Sequence, residues 1–258
     1  MKNKKSKKEK SKRKSKKESK IINPPFSSFK SKGTLASENV IEYHYQRFDN
    51  LIKFFDKLNK DKKIKNICIY KNVYESLLEI DINNKNVYPL YTTLDNFKYR
   101  LLEKKCIKEK YIPITINSKL PIDKIEIENH TNILLINTKN KQIEFFEPHG
   151  YKKKESDSNE SVSKYHNKFN ILSLFFKDLL PDYKLINVVD YIKKHSFQAK
   201  YDSNSGYCVT WSSLFVHYRL LNPNKPIKEI INHMDNYINV NLLLRYARYI
   251  EDVLKNKI

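Results

Sequence analysis

Between residues 37 and 57 the apolar side chains Val40, Ile41, Tyr45, Phe48, Ile52 and Phe55 recur at helical intervals. This spacing predicts one buried helix face, with Ser37 at the N-cap. Residues 65–70 read as a short strand, and residues 73–80 and 94–106 as helices. The period then changes. Tyr111-Ile112-Pro113-Ile114-Thr115-Ile116 opens a run of strands, and Ile125 and Ile127 follow. Ile133-Leu134-Leu135-Ile136 is continuously apolar, as in a central strand covered on both faces. Residues 137–141 are a polar turn and 142–146 the returning strand. A charged, Ser-rich loop over 152–164 leads to a helix over 166–180, ended by Pro181, and a strand over 185–189. Val209, Trp211, Leu214, Phe215, Val216, Leu220 and Leu221 then crowd one segment that stops at Asn222-Pro223. That is too apolar for a surface helix and predicts a buried one. Two helices, near 227–233 and 237–254, complete an α+β pattern.

Composition adds a tail. Residues 1–20 hold eleven lysines and one arginine against two glutamates, about half of the net charge of +21. Such a Lys/Ser/Glu stretch cannot bury a core and is expected to be disordered. Its charge suits nucleic acid or an acidic partner. The chain divides as 1–34, basic tail and linker; 35–108, a helical accessory region; and 109–258, the core. No apolar run approaches a membrane span, and the N-terminus lacks the apolar stretch of a secretory signal. Cys68, Cys106 and Cys208 are an odd number without close spacing, so neither a disulfide framework nor a zinc site is expected. A reducing, intracellular location follows, with Cys68 and Cys106 as ordinary thiols.

The candidate chemistry begins at Gly206-Tyr207-Cys208. A loop feeds the buried helix there, so Cys208 falls in the first turn, where backbone N–H groups and the helix dipole favour an anion such as a thiolate. Upstream, the hairpin from His130 to Gly150 has His130 opening its first strand and Glu147 closing its second. An even-length turn puts them at one end and on one face, opposed or one diagonal apart. A carboxylate so placed can hold one imidazole nitrogen and leave the other as a base. Glu144 and Glu147, three residues apart, fall on opposite faces, and the hairpin ends nominate Glu147. Gln198, ten residues before Cys208, can donate to a developing oxyanion beside the Cys208 amide. His149 sits in the Pro-His-Gly turn and reads as a loop-tip residue. No short ligand spacing supports a metal site among His130, His149 and Cys208, and no cofactor is implied.

The order His130, Glu147, Gln198, Cys208 resembles the adenovirus-type and ubiquitin-like-protein-specific cysteine proteases over roughly residues 110–225. The Phe146-Glu147-Pro148-His149-Gly150 segment and the 17-residue step from His130 to Glu147 carry the likeness most closely. The resemblance implies a papain-like α+β fold, with Cys208 as nucleophile, His130 as general base, Glu147 orienting it and Gln198 in the oxyanion hole. It also implies a protein substrate: a viral structural precursor processed in a host cell or virion, or a ubiquitin-like conjugate. Acyl transfer to an amine, and a basic nucleic-acid-binding protein on an inactive scaffold, are the other classes compatible with these residues. Three positions depart from the pattern. Thr131 stands where the family usually has Trp, Val209 where it has Gly, and the step from Gln198 to Cys208 is longer than usual.

Overall fold

The computed structural model describes residues 20–28, 48–70, 72–122, 126–149, 159–192, 197 and 207–256. The longest strands are β3 (Tyr111–Ile122) and β4 (Glu126–Asn137), antiparallel along their whole length, from Tyr111 opposite Asn137 to Ile122 opposite Glu126. On one side β1 (Leu77–Asp81) runs parallel to β3 and antiparallel to β2 (Asn86–Pro89). On the other, β5 (Gln142–Phe146) returns antiparallel to β4, and β6 (Lys184–Asn187) lies parallel to β5. The described strands form one mixed sheet, ordered β2-β1-β3-β4-β5-β6.

The sheet separates two apolar cores, which explains the unbroken hydrophobic run in β4. Ile133 and Leu135 pack into the core shared with α1 (Phe48–Lys60), α5 (Cys208–Leu221), α6 (Ile227–Tyr237) and α7 (Val240–Leu254). Leu134 and Ile136 point the other way, toward α2 (Leu94–Leu101), α3 (Lys104–Lys108) and α4 (Asn159–Leu179). Period-two alternation with both faces covered requires apolar residues at every position. As expected from its composition, α5 is buried from Cys208 to Leu220.

Several sequence expectations need correction. Residues 73–80 are not a helix. Val73–Ser76 is a single 3₁₀ turn, capped by Asn72, whose Oδ1 accepts from the Tyr74 amide at 3.2 Å. Leu77–Asp81 then joins the sheet, with Leu78 and Ile80 buried in the second core. Residues 35–108 therefore supply two strands of the central sheet rather than a purely helical layer. Residues 65–70 make only an isolated bridge, Ile67 to Tyr111. The predicted helix over 94–106 is two helices, broken where Glu103 is extended. Helix α4 starts at Asn159, earlier than expected, and β6 stops at Asn187, whose side chain caps the turn Val188–Tyr191. The Ser37 cap and residues 1–19 lie outside the described residues.

Two corrections concern long-range ties. Residues 20–28 are not a loose linker. Ile22 and Asn222 exchange two hydrogen bonds, with Ile22 N–H donating to Asn222 Oδ1 at 2.7 Å and Asn222 Nδ2 to the Ile22 carbonyl at 2.8 Å. Asn23 Oδ1 accepts from Tyr218 Oη and contacts His233 Nε2. Phe26 packs edge-on to Tyr246, and Ser27 pairs with Arg245. Cys68 and Cys106 are joined in a disulfide, Cα atoms 5.1 Å apart, rather than being separate thiols. A separation of 38 residues gives no local signal. The pairing depends on Cys68 being held to β3 through its N–H bond to the Tyr111 carbonyl while α3 packs beside it.

Candidate active site

Helix α5 begins at Cys208 itself, and its N-cap residue, Tyr207, makes no side-chain cap bond. That position sets the cysteine at the helix end where first-turn amides and the positive end of the dipole favour an anion. Cys208 is buried and takes no part in a disulfide. No acidic residue occupies this first turn. The helix start is fixed by aromatic packing. Phe146, which precedes Glu147, stacks on Phe215 at 4.6 Å between ring centroids and lies 5.7 Å from Phe197. Phe197, which precedes Gln198, stacks on Trp211 at 5.0 Å. One ladder of rings thus ties the end of β5, position 197 and the first turns of α5 together. Ring pairs at these distances contribute roughly 0.5–1.5 kcal/mol each beyond their buried area.

Glu147 lies one residue past β5 and is buried. Continuing the ladder from Ile133 opposite Phe146 puts Asn132 across from Glu147. The side chains meet there: Asn132 Nδ2 donates to Glu147 Oε2 at 2.6 Å. Ser118 Oγ, on β3, donates to Asn132 Oδ1 at 3.0 Å. From α4, the ammonium of Lys168, fully buried, reaches the same Oε2 at 3.1 Å. The other oxygen, Oε1, accepts from the His149 backbone N–H at 3.1 Å, closing the turn after the strand.

Sequence reasoning missed Asn132, Ser118 and Lys168. Lys168 carried a readable signal. It shares the helical stripe of Leu172, Phe176 and Leu179, and a lysine on a buried stripe needs a carboxylate partner. Asn132 carried a weaker one, as a polar residue directly before a four-residue apolar run.

His130 does not open its strand. β4 starts four residues earlier, because β3 is long enough to pair residues 126–130, and His130 is registered opposite Ser118. It stands two positions before Asn132, one diagonal from Glu147. The His130 side chain, Gln198 and Gly206 lie outside the described residues. Glu144 faces the opposite core from Glu147, as its three-residue offset predicts. It is not an inert neighbour: Arg219 of α5 clamps it, with Nε and Nη2 each donating at 2.8 Å. Burial opposes the charged guanidinium of Arg219, but Glu144 outweighs it and raises the Arg219 pKa. Among the described residues, no three His, Cys, Asp or Glu side chains group as a metal site. No described helix is long and apolar enough to cross a membrane.

No family model and no curated protein matches the chain. Among solved structures it is similar to ChlaDub1 from Chlamydia trachomatis, at 10% identity and a TM-score of 0.43, over 81% of this chain and 91% of that one. It is also similar to the SUMO protease Ulp1, at 12% identity and TM-score 0.38, over 84% and 76% of the two chains. A Ulp1-like SUMO protease catalytic domain from Chaetomium thermophilum aligns at 10% identity and TM-score 0.32, over 80% and 69%.

Proposed function

We propose that the chain is a thiol protease of papain-like, adenovirus-proteinase type. Cys208 is the nucleophile, His130 the general base, Glu147 the acid that orients it and Gln198 an oxyanion donor. The observation that carries this reading is Cys208 as the first residue of a buried helix, the position where first-turn amides and the helix dipole favour a thiolate. The buried carboxylate of Glu147, one diagonal from His130 on the β4–β5 ladder, supports the second half of the site.

In this reading the thiolate attacks a peptide carbonyl and the tetrahedral oxyanion takes hydrogen bonds from the Cys208 amide and Gln198. His130 delivers its proton to the leaving amine. Water then hydrolyses the thioester, with His130 as base. The substrate is a protein. A ubiquitin-like conjugate and a viral structural precursor are the two classes that the sequence resemblance implies.

The test is an electrophilic thiol probe with mass mapping, followed by turnover on a panel of ubiquitin-like C-terminal amides and internal peptide substrates. Cys208 should be the labelled residue, and Cys208→Ser should abolish turnover. Release only from the C-terminal amides selects deconjugation, and cleavage only of internal bonds selects precursor processing. An acetyl-enzyme formed from acetyl-CoA, with no hydrolysis, would reassign the site to acyl transfer. A Cys208 inert at neutral pH would leave a binding protein on an inactive scaffold.

A further inference from the structure

Arg219 lies eleven residues after Cys208 on α5, about 16 Å along the helix at 1.5 Å per residue. Beside it opens a cleft of about 480 Å³ that the proposed protease chemistry does not use. Lys110, Arg219, Lys225 and Lys228 line this cleft together with Asn140 and Tyr191, and no Asp or Glu is among its lining residues. The charges are not all neutralised. Arg219 is committed to Glu144 and donates its remaining edge, Nη1, to the Lys225 carbonyl at 2.7 Å. Lys225 pairs with Glu229 at 2.9 Å across exposed surface, where such pairs contribute little. Lys110 donates to the Pro223 carbonyl, a neutral acceptor, and Lys228 is exposed. Burial chiefly lowers the Lys110 pKa, the neighbouring cations Arg219 and Lys139 lower it further, and Glu144 opposes them.

The rim is preorganised. Pro223 and Pro226 fix two φ angles of the five-residue connection from α5 to α6. Asn222, at its start, is locked by its two bonds to Ile22 and a third from its Nδ2 to the Tyr218 carbonyl. The same contact brings the chain from Lys20, last residue of the basic run, to this rim. A cleft of this volume matches those that enclose small ligands, roughly 300–1,000 Å³, whereas a polymer tracks an extended stripe.

We propose that this cleft binds a small, multiply phosphorylated anion. Lys110 and Lys228 contact its oxygens, and Lys225 exchanges Glu229 for it. The site is separate from Cys208 and does not depend on the protease reading.

Calorimetric titration of the full chain with inorganic tripolyphosphate at low salt tests it. One-to-one binding is expected, weakened at least tenfold by Lys228→Glu, whose side chain is exposed and packs into no core, and similarly by Lys110→Met. Absence of binding at millimolar tripolyphosphate overturns the proposal. Binding of unchanged affinity in Lys228→Glu also overturns it, because the basic tail would then be the site. A short single-stranded oligonucleotide provides the third arm. If it occupies the Lys228-dependent site more tightly than tripolyphosphate, the cleft is a polymer site and the small-ligand assignment falls.

Discussion

Lys168 and Glu147 form a fully enclosed ion pair on which the candidate site leans. Such a pair gains little net stability over an apolar pair, because both ions were desolvated to make it, but removing one partner strands the other. Lys168→Met should therefore destabilise the protein by about 3–5 kcal/mol, and Glu147→Gln by a similar amount. The double variant should lose less than the sum. Urea denaturation of the three variants measures this, and strictly additive losses would show that the two charges are not coupled. If Glu147 orients His130, Glu147→Gln should also lower kcat by about tenfold or more in conditions where it remains folded. Glu144→Gln, at the acid the hairpin ends did not nominate, is expected to cost about 3–5 kcal/mol, since it strands the buried Arg219.

At the scale of the element, the buried helix α5 carries Cys208 at its start, Thr210, Ser212 and Ser213 in its first half, His217 in its body and Arg219 near its end. His217 is enclosed by Phe54, Phe55, Tyr246 and Tyr249, and its Nδ1 lies 3.0 Å from Tyr246 Oη, which donates to the Ser213 carbonyl. Burial lowers its pKa from 6.5 to about 3. A histidine that binds its proton more weakly when folded stabilises the native state above pH 6.5, and that stability is lost as pH falls toward 3. At pH 5 the loss is about 2 kcal/mol, from roughly 1.36 kcal/mol per unit. His217→Phe should flatten the stability profile between pH 7 and 5. Thermal melts of both proteins across that range check it, and parallel profiles would exclude His217 as the source.

For the whole molecule, the ends of the fold are secured from outside the sheet. The segment 20–28 crosses α5, α6 and α7 through Asn222, Tyr218, His233 and Arg245. Deleting residues 1–19 should leave stability and turnover unchanged while weakening and flattening the salt dependence of acidic-partner binding. Deleting through Ser28 should cost about 2–4 kcal/mol, from several hydrogen bonds at roughly 0.5–1.5 kcal/mol each. Equal melting temperatures for the two truncations would show that the segment adds nothing. The Cys68–Cys106 bond closes a 38-residue separation, for which chain-entropy arguments give about 4 kcal/mol. Under a reductant the melting temperature should fall, and a double Cys→Ala variant should show no such response.

Local periodicity by itself determined the long elements. The apolar run of β4, its returning partner, and the helix that starts at Cys208 and stops at Asn222-Pro223 were legible because burial on both faces of a strand, or nearly all round a helix, concentrates apolar residues there. Strand alternation over a three-residue offset likewise put Glu144 and Glu147 on opposite faces. Tertiary structure decided what local pattern does not encode. Residues 77–81 became a strand because β3 offered an open edge, not because of their own spacing. Residues 20–28 were held by side chains about 200 positions away. The same is true of the disulfide, of Arg219 with Glu144, and of Asn132 and Lys168 on Glu147. Each joins groups whose separation in sequence carries no information until the sheet brings them within a few ångströms, where burial makes an unpartnered charge or donor too costly to leave.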